Sequence, residues 1–534
     1  MSVLRFFILI VFLLFYSGMY AQDVWWVYLT DKGDTSQVQL SSFFSAHSIQ
    51  RRELMHIDFD YSDYPVCANY LQQVSFYVDS MGYSSRWLNA VKVYADAKQI
   101  EELKTLPFVM QIEKINDEEY TAICTTSGRK VPLLKALSEH QLNRIGLPFL
   151  QQQNYTGKGV RICVIDAGFL GVPQSSGFAH LFQNNRIEKT WDFIKKDNHV
   201  YRGATHGTMV LSCLAGMNDT LQTGLATGAT YLLARTESVF SENRKEEDRW
   251  IAALEWADMH GANIVNSSLG YASPRFERHE LNGQSRLSRV ASMAADKGML
   301  LVNAAGNEYN GMWKSLIIPA DADNILTVGA VEPETDFQTS YSSVGPTADG
   351  RLKPNVCAPG WVTVFGRSSL YAAEGTSFAA PLVAGLAACV WQALGDTLRP
   401  IDIINRIEQA SHLYPYFDYA HGYGVPHAAR FFALPRPFPC FKTELVADDL
   451  LIFPDSLFVH SADVNPLLYF HVQSQSGILR TYGLIEIENS HLVNFTLSRD
   501  LSLIKKSNSY HLFVQSGDII RLHMSGYTAE ITIP

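Results

Sequence analysis

Residues 375–385 read GTSFAAPLVAG, and the apolar run LAACVW follows at residues 386–391. Small residues on both sides of Ser377 predict a tightly packed helix that begins beside this serine. We place Pro381 in the first helical turn, where no internal N–H bond is lost. A helix N-terminus favours a negative oxygen, which is the species formed when a serine attacks a carbonyl group. Ser377 is therefore a candidate nucleophile, and a helix-capping serine is the simpler alternative.

Two other stretches favour the catalytic interpretation. Residues 159–169 read GVRICVIDAGF, which predicts a buried parallel strand ending at Asp166. Open α/β sheets place their chemistry at this end of the strands. Residues 203–211 read GATHGTMVL, which puts His206 at the start of a helix of small and apolar residues. Taken singly, Asp166 could be a turn residue and His206 a packed structural histidine.

The three residues follow one another in the subtilisin order Asp, His, Ser. The blocks VIDAG, HGT and GTSFAAP resemble the motifs of the subtilase family of serine endopeptidases. A fourth block, NAAGN at residues 303–307, resembles the oxyanion-hole segment of the family and implies that role for Asn307. The chain departs from the commonest family pattern at Ala167, where a Thr or Ser hydroxyl would supply a local hydrogen bond.

The resemblance also implies a site for peptide substrates. Residues 266–271, NSSLGY, resemble the strand that pairs with an extended substrate and forms one wall of the primary specificity pocket, with residues 304–306 opposite. The implied substrate-binding residues are Ser268, Leu269, Gly270, Ala304, Ala305 and Gly306. Strand pairing suits a protease because the substrate gains main-chain hydrogen bonds. A simple strand end is the alternative interpretation.

The region 141–432 is expected to be the catalytic domain. Strand signals at 160–165, 231–234, 263–266, 299–303 and 325–328 alternate with helices at 246–260, 286–297, 377–394 and 401–410. This alternation predicts an α/β fold, a mostly parallel sheet with helices on both faces. A dinucleotide-binding fold is disfavoured because no G-x-G-x-x-G motif follows a strand.

The region 22–120 is expected to be a small α+β domain. Residues 24–29, 87–94 and 108–115 predict strands, and residues 100–106 predict a short helix. Its position ahead of a protease resembles a subtilase propeptide, which acts as intramolecular chaperone and temporary inhibitor. A plain accessory domain is the alternative. Residues 121–140 are assigned to a linker and maturation region because residues 116–130 are polar.

The proline-rich residues 434–440 end the catalytic domain, and residues 441–534 form a further unit. Four short runs there alternate apolar and polar residues, at 467–472, 484–487, 510–514 and 519–522. This pattern predicts a small antiparallel β-sandwich. The sequence of this unit does not indicate whether its role is substrate docking, stabilisation of the protein or attachment to a surface.

Composition and charge agree with a chain of three folded parts. The 534 residues are 47% hydrophobic and carry a formal charge of −10, which disfavours a nucleic-acid partner. The expected partners are polypeptide substrates and the chain's own propeptide, with the enzyme a monomer.

The N-terminus predicts export. Residues 6–15 read FFILIVFLLF, a run too short for a comfortable membrane span, and Ala21 suits signal-peptide cleavage. We assign residues 1–21 to a signal peptide and expect a secreted protein without a transmembrane span in the mature chain. An uncleaved anchor is the alternative.

The pattern of cysteines and acidic residues gives no sign of a metal site, and we expect the protein to require no cofactor. The seven cysteines are an odd number without C-x-x-C spacing, so neither a zinc site nor a disulfide framework is expected. Subtilases often bind calcium, but the charged residues 242–249 lack the spacing of an EF-hand loop. A structural calcium ion is therefore possible but not assignable to any residue.

These features together predict a secreted serine endopeptidase that is made as an inhibited precursor and works through an acyl-enzyme. Two alternatives remain open: a catalytically dead binding module with the same fold, and an esterase or amidase with the same triad. The complete Asp, His, Ser and Asn set disfavours the first, and the peptide-pairing strand disfavours the second.

Overall fold

The structure is a computed structural model of the chain. It describes residues 23–115, 126–127, 131–238, 245–395, 397–433, 438–455, 466–487, 492–499 and 510–534. The signal-peptide assignment and most of the linker assignment lie outside these residues. The predicted boundary between linker and catalytic domain, at 140/141, falls inside a continuous helix, Val131–Ile145.

Residues 24–115 form a four-stranded antiparallel sheet with helices, which confirms the predicted α+β domain. The elements are β1 Val24–Leu29, α1 Leu40–Phe43, α2 Ala46–Leu54, α3 Ala68–Ser75, β2 Ser80–Ser85, β3 Ala90–Tyr94, α4 Ala97–Leu103 and β4 Val109–Ile115. The strand order is β2-β3-β1-β4. Sequence patterns did not predict β2, because its residues SMGYSS lack the β-branched side chains typical of strands.

The catalytic region alternates strands and helices as predicted. Its elements are β5 Thr126–Ser127, α5 Val131–Ile145, α6 Leu147–Gln152, β6 Arg161–Asp166, α7 Ala179–Gln183, β7 Ile187–Asp192, α8 His206–Ala215, β8 Thr230–Arg235, α9 Lys245–Met259, β9 Ile264–Ser267, α10 Arg286–Asp296, β10 Leu300–Ala304, β11 Leu326–Val331, β12 Val356–Pro359, β13 Trp361–Phe365, β14 Leu370–Glu374, α11 Thr376–Leu394 and α12 Pro400–Gln409.

Seven of these strands form one parallel sheet in the order β12-β11-β10-β9-β6-β8-β7. The predicted α/β class is thus confirmed. Two strands were not predicted: β7 reads IEKTWD, with charged residues inside it, and β12 is only four residues long. Since the strands are parallel, the ends of β6, β9 and β10 meet at one edge of the sheet.

Helix α11 forms the centre of the core. It packs against α8 and against β9 to β12, and the helix is buried from Phe378 to Trp391. Among the described residues it is the one helix long and apolar enough to cross a membrane, and it is mostly buried inside the protein. This is the pattern of a core helix in a folded domain.

Residues 441–532 form two four-stranded sheets. The strands are β15 Phe441–Val446, β16 Asp449–Pro454, β17 Leu467–Gln473, β18 Leu479–Glu486, β19 Val493–Ser498, β20 Tyr510–Phe513, β21 Ile519–Met524 and β22 Tyr527–Thr532. The orders are β15-β16-β19-β20 and β18-β17-β21-β22, and both sheets contribute to one apolar cluster. The β-sandwich prediction is confirmed, except that β19 and β20 pair in parallel.

The described residues divide into two compact units. One contains the described residues within 1–43, 58–122 and 240–255, and the other contains those within 44–57, 123–239 and 256–534. In the first, Asp248 accepts from Trp26 Nε1 at 3.0 Å, and Glu255 accepts from the hydroxyls of Ser85 and Tyr83 at 2.5 and 2.6 Å. In the second, Asp258 pairs with Arg51 and Arg52 at 2.5 and 2.8 Å.

Candidate active site

Asp166 ends strand β6 and is completely buried. Its Oδ1 accepts from the Ala167 N–H at 2.8 Å and from His206 Nδ1 at 2.8 Å. Within the described part of the chain, its Oδ2 is buried and has no hydrogen-bond partner. The sequence explains the missing hydrogen bond, because residue 167 is an alanine and lacks the Thr or Ser hydroxyl that is common beside this aspartate.

His206 is the first residue of α8, as predicted, and its side chain is 15% exposed. Because a carboxylate can only accept, the 2.8 Å contact with Asp166 puts the proton on Nδ1 and leaves Nε2 as the acceptor. Gly207 permits this approach: a Cβ there would lie 2.9 Å from Asp166 Cβ and 2.5 Å from the Gly168 carbonyl oxygen. A glycine at position 207 is therefore required for His206 to approach Asp166 this closely.

The pKa of His206 reflects two opposed effects. Burial lowers it, but the charge of Asp166 and the hydrogen bond from Nδ1 raise it more, so that the pKa lies above its ordinary value of 6.5. The imidazolium form is thus stabilised relative to a free histidine. A histidine that must accept and then hold a proton benefits from such a shift.

Ser377 is the second residue of α11 and is partly exposed. The ring of His206 lies beside the neighbouring Phe378, with 5.7 Å between ring centroids. Within the described residues, Ser377 Oγ donates to the Ser268 carbonyl at 3.3 Å rather than to His206. The structure thus joins Asp166 to His206 directly and brings His206 to the helix that carries Ser377.

Pro381 occupies the sixth position of α11, not the first turn as predicted. Because proline has no N–H, the carbonyl of Ser377 loses its helical partner four residues on. Ser268 Oγ donates to this carbonyl at 2.8 Å and replaces that bond. The serine that follows β9 therefore supports the first turn of the helix that carries Ser377.

Asn307 lies opposite the start of α11. Its Oδ1 accepts from Thr376 N at 2.9 Å and from Thr376 Oγ1 at 3.0 Å, which assigns Nδ2 as the remaining donor group. A Cβ placed on Gly375 would lie 3.4 Å from Asn307 Nδ2 and 3.7 Å from Ser377 N. These two N–H groups therefore flank one small space, which Gly375 leaves open.

The two implied pocket walls follow neighbouring strands of the sheet. Residues 268–270 follow β9, and residues 304–306 lie at and beyond the end of β10. Asn303 Nδ2 donates to the Leu269 carbonyl at 3.3 Å, and Gly306 N donates to Thr376 Oγ1 at 3.2 Å. The second of these bonds ties one wall to the helix of Ser377.

Comparison with known proteins agrees with this geometry. The model of the subtilase family matches residues 157–424, half of the chain. This chain belongs to the subtilase family. The peptidase S8 propeptide domain of Bacteroidota matches residues 24–127, so this subtilase carries a propeptide rather than a plain accessory domain. It is a subtilisin-like serine endopeptidase made as a precursor.

Several curated relatives of this subtilase are subtilisins. Subtilisin NAT of Bacillus subtilis subsp. natto is 29% identical over 314 residues, covering 57% of this chain and 71% of that protein. Alkaline elastase YaB of Bacillus sp. (strain YaB) is 28% identical over 307 residues, covering 57% and 70%. Subtilisin of Bacillus pumilus is 30% identical over 258 residues, covering 47% and 82%.

Two supporting residues of the subtilase were not identified from sequence. Thr376 positions Asn307 through the two bonds to Oδ1, and its place beside Ser377 in the GTS block was the available signal. Tyr341 accepts from Gly375 N at 3.0 Å and donates to the Gly360 carbonyl at 2.8 Å. A lone tyrosine in a loop carries no sequence signal for that role.

The described residues provide no cluster of metal-ligating side chains. No group of three or more His, Cys, Asp or Glu side chains among them converges to hold a metal ion, so calcium is assigned to no residue of this subtilase. The six cysteines in the described part of the chain are free thiols, five of them buried.

Proposed function

We propose that this subtilase cleaves peptide bonds through an acyl-enzyme, with Ser377 as nucleophile, His206 as general base and acid, and Asp166 as the group that orients His206. His206 Nε2 removes the proton as Ser377 Oγ attacks the scissile carbonyl. The same proton then passes to the leaving amine, and water releases the acyl group by the reverse sequence. This chemistry uses only side chains of the chain and requires no cofactor.

The observation that carries the proposal is the 2.8 Å bond from His206 Nδ1 to the buried Asp166 carboxylate, beside the helix of Ser377. It supports a fixed imidazole tautomer whose Nε2 is available as a base. The hydroxyl of Ser377 bonds elsewhere in this structure, at 3.3 Å. Catalytic hydrogen bonds are often long or misdirected without substrate and tighten in the complex.

We assign the oxyanion to the N–H of Ser377 and to Asn307 Nδ2. The proximity of both groups to the space at Gly375 supports this assignment. Preorganised donors of this kind act on the charge that develops in the transition state, and removal of one typically raises the barrier by about 3 kcal/mol. Residues 268–270 and 304–306 are proposed to hold the substrate backbone.

The propeptide supports synthesis of the subtilase in an inhibited form. A secreted protease must be inactive before export, and the apolar residues 6–15 support export through a signal peptide. We propose a secreted monomer that acts on polypeptides and has its own propeptide as temporary inhibitor.

The test compares the wild-type precursor with Ser377→Ala after expression with export. The wild type is expected to release its propeptide, to hydrolyse casein and to react with a fluorophosphonate probe, and the variant is expected to do none of these while folding normally. Casein hydrolysis or labelling by Ser377→Ala would refute the role of Ser377. An unlabelled, inactive wild type would indicate a binding module, and cleavage of small esters without casein would indicate an esterase.

A further inference from the structure

A short segment, residues 316–319, bridges the two proposed pocket walls. Ile317 N donates to the Ala305 carbonyl at 3.0 Å. The next residue, Ile318, exchanges two main-chain bonds of 2.8 Å with Tyr271, which directly follows the other wall. Main-chain hydrogen bonds therefore hold the segment to both walls.

The side chain of Ile317 lies between the two walls. A Cβ placed on Gly270 would lie 2.6 Å from both Cγ1 and Cδ1 of Ile317. A Cβ placed on Gly306, in the opposite wall, would lie 2.6 Å from Ile317 Cγ2. One aliphatic side chain thus lies against a glycine of each wall, and it is partly exposed.

Ile317 cannot easily move aside. Its main chain is bonded to one wall and its neighbour to the other, and a β-branched side chain has few available χ1 rotamers. The side chain fits between the walls only because Gly270 and Gly306 carry no Cβ, since a Cβ on either would lie 2.6 Å from Ile317, and this leaves little room for rotation toward either wall. A long or aromatic substrate side chain would have to displace packed atoms to enter.

We infer that Ile317 determines specificity by closing the primary pocket, so that this subtilase cleaves after small residues, namely glycine, alanine and serine. The inference rests on the proposed function, because it takes residues 268–270 and 304–306 as the pocket walls. Large side chains are rejected sterically. Small ones are accepted because they require only the space above Ile317.

The test uses peptides that differ only in the residue before the scissile bond, alanine or phenylalanine. Active enzyme is counted by fluorophosphonate titration, so that kcat/KM refers to competent sites. The wild type is expected to prefer alanine by about 100-fold or more, in the range that pocket sterics supply. Ile317→Ala is expected to raise kcat/KM for the phenylalanine peptide by roughly 10-fold to 100-fold and so to reduce the preference for alanine.

Two further variants keep the result interpretable. Ile317→Val removes one methyl group and gives an intermediate gain if Ile317→Ala does not fold. Ile318→Val, at the fully buried neighbouring position, is the matched control and is expected to leave the ranking of substrates unchanged. A labelled wild type that cleaves after phenylalanine and alanine within tenfold of each other would overturn the inference alone. An enzyme that is neither labelled nor active would overturn the proposed function instead.

Discussion

At the scale of single residues, the main electrostatic interaction of the candidate site is between Asp166 and His206. The carboxylate of Asp166 is fully buried. Its Oδ1 accepts hydrogen bonds from His206 Nδ1 and from the Ala167 N–H, and its Oδ2 has no hydrogen-bond partner among the described residues. A buried charge in this state interacts strongly with its partner because little solvent screens it. The raised pKa of His206 is the consequence.

This pair predicts a specific pH dependence. Because His206 must be neutral to act as a base and its pKa lies above 6.5, we expect kcat/KM to rise with pH above that value. Asp166→Asn removes the charge that raises the pKa, so the ascending limb should move to lower pH. It should also lower kcat by about four orders of magnitude through the wrong tautomer. Peptide hydrolysis across pH 5 to 9, normalised to labelled sites, measures both effects, and an unshifted limb would contradict the assignment.

Asp166, His206, Ser377 and Asn307 could be proposed from sequence because they lie in short blocks whose neighbouring residues are sterically constrained, as Gly207 is against Asp166. Their catalytic roles remain predictions until tested. The position of Pro381 was wrong, because helix α11 begins at Thr376, five residues before it, and local sequence does not set where tertiary packing lets a helix begin.

At the scale of elements, β9 and α11 are joined by reciprocal bonds between two serines. Ser268 Oγ donates to the Ser377 carbonyl at 2.8 Å, and Ser377 Oγ donates to the Ser268 carbonyl at 3.3 Å. The first bond exists because Pro381 provides no N–H for that carbonyl. Pro381 in helix α11 and Ser268 after β9 are therefore expected to act together.

This coupling can be measured by a double-mutant cycle in unfolding experiments. Ser268→Ala leaves the Ser377 carbonyl without its donor and is expected to lower the free energy of unfolding by roughly 1–2 kcal/mol. Pro381→Ala supplies an N–H four residues after Ser377, so Ser268→Ala should cost less in that background. Equal costs of Ser268→Ala in both backgrounds would show that the two residues act independently.

At the scale of the whole molecule, the β-sandwich meets the end of the catalytic region through buried histidines. His471 is fully buried, donates from Nδ1 to the Phe417 carbonyl at 2.6 Å and accepts from Arg521 on Nε2 at 3.3 Å. Burial lowers its pKa to about 4, with a partial opposing effect from the bond to Phe417. Burial and the charge of Arg430 likewise lower the pKa of His523 to about 4. Both histidines are therefore neutral in the folded protein.

The folded protein should accordingly lose stability in mild acid. Unfolded histidines bind protons below pH 6.5, whereas these two do so only near pH 4, so the stabilisation is complete above 6.5 and lost as the pH falls to about 4. Each can contribute roughly 3 kcal/mol. Urea unfolding of Ser377→Ala, which avoids autolysis, should show the loss between pH 7 and 4.5. Adding His471→Gln and His523→Gln should make the free energy of unfolding fall less steeply as the pH decreases. An unchanged slope would show that these two histidines do not contribute to the loss.

The sequence alone determined the class of protein, the order of its folded parts and the candidate catalytic residues. These depend on local patterns: strand and helix periodicity, and side chains whose chemistry requires fixed neighbours. Only the tertiary structure decided which groups meet, such as Ser268 with Ser377, Asn307 with Thr376, and Ile317 with the two glycines of the pocket. Such contacts join residues far apart in the chain, and their distances follow from the packing of the sheet and its helices rather than from any local pattern.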